Sequence, residues 1–132
     1  SERDGRMPYS SYLKNKWLDV LRGNAAGVTF TAPAAIYASL HNGAPGDTGA
    51  NEITGGTPAY ARKSITGAAA AGGSITYEPD VVIDVPATTV MHVGYWDAVT
   101  AGNFLGSDPV TNEVFAAQGT YTLTQSILDL NA

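Results

Sequence analysis

From Gly23 to the last residue, no stretch of this chain is long enough or periodic enough to form a helix. Turn-forming residues recur there at intervals of about 8–12 residues, and the segments between them alternate apolar and polar. Fifteen glycines and seven prolines in 132 residues supply much of that punctuation. Alternation is plainest in residues 34–41, where Ile36, Ala38 and Leu40 face one way and Tyr37, Ser39 and His41 the other. Residues 60–66, 75–86, 90–98, 103–106, 114–117 and 120–130 read as further strands. Pro79 lacks the amide a ladder needs and breaks 75–86 in two, with Val81, Ile83 and Val85 sharing a face. Gly94, inside the most aromatic strand, marks a bulge or a close backbone approach. The alanine run at 68–71 is bracketed by glycines and too short to nucleate a helix.

Helices between strands are what a parallel α/β fold requires, and there is no room for them. The pattern predicts a mainly β protein, a single antiparallel β-sandwich of jelly-roll type with one N-terminal α-helix. That helix is expected over residues 11–22. Ser10 or Ser11 offers an N-cap oxygen, Leu13, Trp17, Val20 and Leu21 form one apolar stripe, and Gly23 is placed for a left-handed stop. Residues 1–8 show no periodicity and read as an arm. Residues 9–132 then form one domain, with a long loop at 42–58.

Composition removes several function classes. No stretch approaches the roughly 18 apolar residues of a membrane span, and the N-terminus has no basic-then-apolar leader pattern. With no cysteine, disulfide scaffolds and thiolate chemistry are excluded. The net charge of −5 is unevenly spread. Residues 1–22 carry Arg3, Arg6, Lys14, Lys16 and Arg22 against three acids, whereas 23–132 carry Arg62 and Lys63 against nine. A body of that sign is repelled by nucleic acid.

Candidate chemistry is sparse. His41 and His92 lack the spacing of metal ligands, and no partner serine or GxSxG turn is evident for either. Asp47, Asn51 and Glu52 could offer oxygens to calcium but lack the EF-hand register. Glu78, Asp80, Asp84 and Asp97 could supply a carboxylate pair, without an apolar pocket to raise one of them. Gly55-Gly56 and Gly72-Gly73 read as turns. Tyr37, Tyr95 and Trp96 could stack on a sugar, although adjacent Tyr95 and Trp96 must face opposite sides of a sheet. Each candidate is matched by a plainer structural reading. No catalytic, metal or cofactor-binding residue is therefore expected.

Some segments resemble a known family. The helix SSYLKNKWLDVLRG is followed by TAPAAIYASLHNGAPGDTGANEITGGTPAYARKSI, then by GYWDAVTAGNFLG and a threonine-rich closing strand. Together they resemble small virion proteins of tailed bacteriophages, variously tail-fibre-like or capsid-decorating. His41 stands where the family pattern has an aromatic residue, and Thr57-Pro58-Ala59 lengthens a Gly-Gly-Tyr step. The resemblance implies a sandwich with no catalytic residues and a place on the phage particle. The expectation is a non-enzymatic decoration protein on the outer head in many copies, with a tail-tip or fibre-associated module as the alternative and a receptor- or carbohydrate-binding module as the third. The major capsid protein and sister subunits, as a possible homotrimer, would be its partners. Arg3, Arg6, Tyr9, Tyr12 and Lys14 would form the docking surface.

Overall fold

The computed structural model describes residues 9–23, 27, 30–77 and 80–131. One helix, α1 (Ser11–Val20), precedes eight strands: β1 (Ile36–His41), β2 (Lys63–Ile65), β3 (Ser74–Tyr77), β4 (Val81–Val85), β5 (Thr88–Trp96), β6 (Phe104–Phe115), β7 (Gly119–Leu123) and β8 (Ser126–Asp129). Every strand pairing is antiparallel. One layer is a four-stranded sheet in the order β2-β1-β5-β6. Facing it are two two-stranded ladders, β3-β8 and β4-β7. The expected mainly β, antiparallel sandwich is what the chain forms, with its second layer divided into two ladders.

The core lies between the layers. Ala38 and Leu40 of β1, with Val90, Val93 and Tyr95 of β5, meet Ile83 and Val85 of β4, Leu123 of β7 and Leu128 of β8. Tyr77 stacks on Tyr95 at 5.9 Å between centroids, and the Tyr95 hydroxyl bonds Ser126 Oγ, tying β3 and β8 to the central strand. Burying aromatic rings contributes strongly to a core of this size, and the buried hydroxyl is satisfied.

Two boundaries differ from the sequence pattern. The segments 103–106 and 114–117, expected as separate strands, are bridged by the continuous β6 (Phe104–Phe115), which runs through Pro109. Its ladder with β5 is irregular between Val90 and His92, where Pro109 faces His92. Because β6 is an edge strand and the register slips there, the missing amide of Pro109 is tolerated. Conversely, residues 120–130 are not one strand but two, β7 and β8, and they pair with different partners.

The helix begins as expected, with Ser10 Oγ accepting from the Leu13 amide at 3.2 Å. It ends at Val20, two residues short of the 11–22 expectation, and Gly23 adopts the left-handed stop at φ +78°. The apolar stripe does not pack along its whole length. Leu13 and Trp17 lie against the core, but Val20 and Leu21 project into solvent.

Candidate functional site

Two regions of the molecule concentrate side chains capable of recognition or chemistry. The first lies on the face of the four-stranded sheet opposite the core. Ser39 and His41 of β1 share that face with Gly94 and Trp96 of β5, through the register Ser39↔Gly94 and His41↔His92. The Trp96 indole N–H donates to Ser39 Oγ at 2.9 Å, and Ser39 Oγ lies 2.7 Å from His41 Nε2. His41 Nδ1 is 2.8 Å from the Ala50 carbonyl. A carbonyl only accepts, so Nδ1 carries the proton and Nε2 accepts from the serine hydroxyl. The imidazole is neutral in that arrangement. Burial also holds His41 below the ordinary histidine value, outweighing the Ala50 hydrogen bond and the Glu52 charge.

The 42–58 loop seals this face. Ile53 N donates to the Leu40 carbonyl, and Glu52 bridges to His41 in backbone pairing. Arg62 forms a two-pronged ion pair with Glu52, each N–O distance 2.9 Å. It also donates to the Ala98 and Ala101 carbonyls, and its guanidinium lies 3.7 Å from the Trp96 ring centroid. Tyr60 donates to Glu52 at 2.7 Å while accepting from Leu40 N. Burial alone would raise the Glu52 carboxyl; hydrogen bonds from Arg62 and Tyr60 override it and hold the group low. For Tyr60, burial and the bond to Glu52 push the phenol up.

Glycine makes the seal possible. A Cβ on Gly94 would sit 2.4 Å from Ser39 Oγ and 2.6 Å from His41 Nε2. A Cβ on Gly49 would lie 2.4 Å from the Trp96 ring, and Gly49 also has φ +81°. The Gly94 signal in the sequence therefore denotes close approach.

His41 thus does have a serine partner, contrary to the sequence expectation. Ser39 and His41 are each 0% exposed, however, and the second imidazole nitrogen meets a backbone carbonyl rather than a carboxylate. The geometry fits a buried, satisfied polar network. Trp96 is likewise enclosed between Arg62, Phe104 and Gly49, which removes it as a sugar-stacking platform; Tyr95 is in the core. The residues considered for calcium are separately engaged. Asp47 Oδ1 accepts from the Ser11 amide at 2.8 Å, Asn51 donates to the Ala44 carbonyl, and Glu52 holds Arg62. Among the described residues no group of three potential metal ligands converges. Glu78 lies outside the described residues; Asp97 accepts from the Asn103 backbone and side-chain amides.

The second region is the end of the sandwich beneath α1. Tyr9 is buried there, paired with Gly106 of β6, its hydroxyl donating to the Asp129 carbonyl at 2.5 Å and its ring meeting Trp17 edge-on at 5.0 Å. Of the expected docking residues, Tyr9 is therefore an anchor, while Tyr12 and Lys14 stand exposed on α1. Arg3 and Arg6 lie outside the described residues. Between α1 and the sandwich is an apolar cavity of about 470 Å³, walled by Trp17, Phe30, Ile36, Ile75, Leu105 and Leu128 among others. Sequence reading missed this cavity, although Leu13 and Trp17 of the apolar stripe line it.

The described residues form an antiparallel β scaffold whose Ser39, His41 and Arg62 are buried in a satisfied polar network. The family model of Podophage GP4 fiber I protein gp80 matches residues 8–130, nearly the whole chain, and the chain belongs to that family. No curated protein matches it.

Proposed function

We propose that the protein is a non-enzymatic structural module of a phage fibre, held to a neighbouring virion protein by its N-terminal end. The observation that carries this reading is the fibre-family match over residues 8–130. The geometry supports it. Tyr9 and Ser10 pin the start of the domain to the edge of β6, through Tyr9↔Gly106 and Ser10 N to the Leu105 carbonyl at 2.8 Å. From that fixed point α1 projects Tyr12 and Lys14 outward, and Arg3 and Arg6 precede them in sequence. A basic, aromatic edge of this kind suits an acidic protein surface, with electrostatics guiding encounter and register. The family description favours the fibre module, the alternative from sequence, over head decoration, the main expectation.

Quantitative densitometry of purified virions, with antibody labelling in the electron microscope, tests the proposal. A low copy number with label on fibres supports it. Hundreds of copies with label over the head would make this a decoration protein, whose attachment draws strength from repetition.

A further inference from the structure

The segment that closes over the polar face of the four-stranded sheet is held there by a histidine whose hydrogen bonds work in one protonation state. His41 is fully enclosed and has a partner at each ring nitrogen, Nδ1 donating to the Ala50 carbonyl and Nε2 accepting from Ser39. Ser39 Oγ in turn accepts from the Trp96 indole. A second proton on the ring turns Nε2 into a donor. It then points at a hydroxyl that already accepts one hydrogen and has lost the acceptor for its own, and an unmatched buried donor is costly. We propose that residues 43–51 form an acid-released flap, which lifts from the sheet when His41 takes up a proton.

The tethers make the opening local. Among the described residues, the hydrogen bonds from this segment to the rest of the molecule run from His41 to the Ala50 carbonyl, from Asn42 N to the Asn51 carbonyl at 3.0 Å, and from Ser11 N to Asp47 Oδ1 at 2.8 Å. The bonds from Gly49 N and Ala50 N to the Pro45 carbonyl, and from Asn51 Nδ2 to the Ala44 carbonyl, close the segment on itself and travel with it. Immediately beyond, Glu52 is fixed by Arg62 and Tyr60, and Ile53 N by the Leu40 carbonyl. The hinge therefore falls at Asn51, a non-glycine residue at φ +63°, a left-handed conformation that opening relaxes. The charged groups around His41 leave the closed form poorly suited to a second proton. Glu52 is paired with Arg62, while Arg62 itself and His92, opposite His41 on β5, bring positive charge. Gly94 of β5 and Phe104 of β6 complete the wall without a titratable group. Burial accordingly holds His41 below its ordinary value, against the Ala50 bond and the Glu52 charge.

Amide hydrogen exchange of the purified full chain, resolved by nuclear magnetic resonance and corrected for the intrinsic rate at each pH, tests the flap. With His41 titrating at its ordinary 6.5 when the flap is open and not at all when it is closed, the opening equilibrium rises about 30-fold between about pH 8 and about pH 5. The Asn42 amide, which bonds across the flap to Asn51, should lose protection by that factor. At both pH values it should stay less protected than the amides of Ile53, on the anchored side of the hinge, and Val93, in the centre of the sheet. His41→Gln should flatten the pH dependence at Asn42, whereas His92→Gln should retain it. Equal protection of Asn42 and Val93 at the acid end means that only global unfolding exposes the loop, and overturns the proposal with the wild-type chain alone. A flat response in the wild type, a dependence that survives His41→Gln, or one abolished by His92→Gln overturns it as well.

Discussion

The two faces of the four-stranded sheet meet opposite ends of the polarity scale, and the contrast separates groups that hold the fold from groups left over for partners. Under the 42–58 loop, a histidine, a serine, an arginine and a glutamate are packed away from water with nearly every donor and acceptor matched. Such a cluster looks reactive by composition, but its chemistry is used up internally. Beneath α1 the reverse holds. The side chains are leucine, valine, phenylalanine and tryptophan, inert by composition, yet Leu18, Val20 and Leu21 stand exposed. Burying a leucine-sized side chain is worth roughly 1.5–3 kcal/mol, so leaving three uncovered on one helix is a sizeable unrealised stabilisation. The surface that looks chemically dull is the one with free energy still to gain.

The sharpest way to break this contrast is Arg62→Ala. It strands the Glu52 carboxylate and frees two backbone carbonyls, so a loss of about 3–5 kcal/mol in urea unfolding is expected. A cost under about 1 kcal/mol would mean the network is ornamental. Gly94→Ala should cost about 1–3 kcal/mol, because its methyl group must displace Ser39 and His41; a neutral result would show the sealed face to be loosely packed.

Titration offers a gentler probe. His41 is held below its ordinary value of 6.5, so the unfolded chain takes up a proton there first as pH falls. Stability should be level above about pH 7 and decline as pH drops below about 6.5, until the folded-state value is passed. Burial lowers His92 too, and it adds to the same limb. Glu52, held low in the fold, adds a second decline that begins near its ordinary value of 4.5. Replacing His41 by Gln should make the first limb shallower by up to ~1.4 kcal/mol per pH unit and leave the second in place. Unfolding midpoints measured from pH 8 to about pH 3 in wild type and variant would check both limbs.

The smallest effect belongs to the open end. Leu21→Asp should change stability by less than about 1 kcal/mol, despite replacing a leucine, because that side chain touches little and only the helix dipole opposes the new charge. Thermal unfolding in dilute solution measures it.

Much of the fold was legible in the amino-acid pattern because β alternation and turn residues are local signals. The face shared by Val81, Ile83 and Val85, the Ser10 cap and the Gly94 close approach all appear as read. The errors fall where non-local pairing decides. Whether 103–117 makes one strand or two depends on its partner β5 and the register slip at Pro109, and neither is written in the segment itself. The polar network was illegible for a similar reason. Glu52 and Arg62 meet across the end of a long loop, and Ser39 is joined to His41 by pointing the same way on one strand beneath a tryptophan 57 positions away. The open end shows a subtler limit. The stripe of Leu13, Trp17, Val20 and Leu21 does identify an apolar helix face, but periodicity carries no information on how far the supporting sheet extends beneath it.

The bond from the Tyr9 hydroxyl to the Asp129 carbonyl, with the adjoining pairing of Tyr9 to Gly106, brings residues near either limit of the domain to a single pole. A pull exerted between those two points loads this short clasp directly.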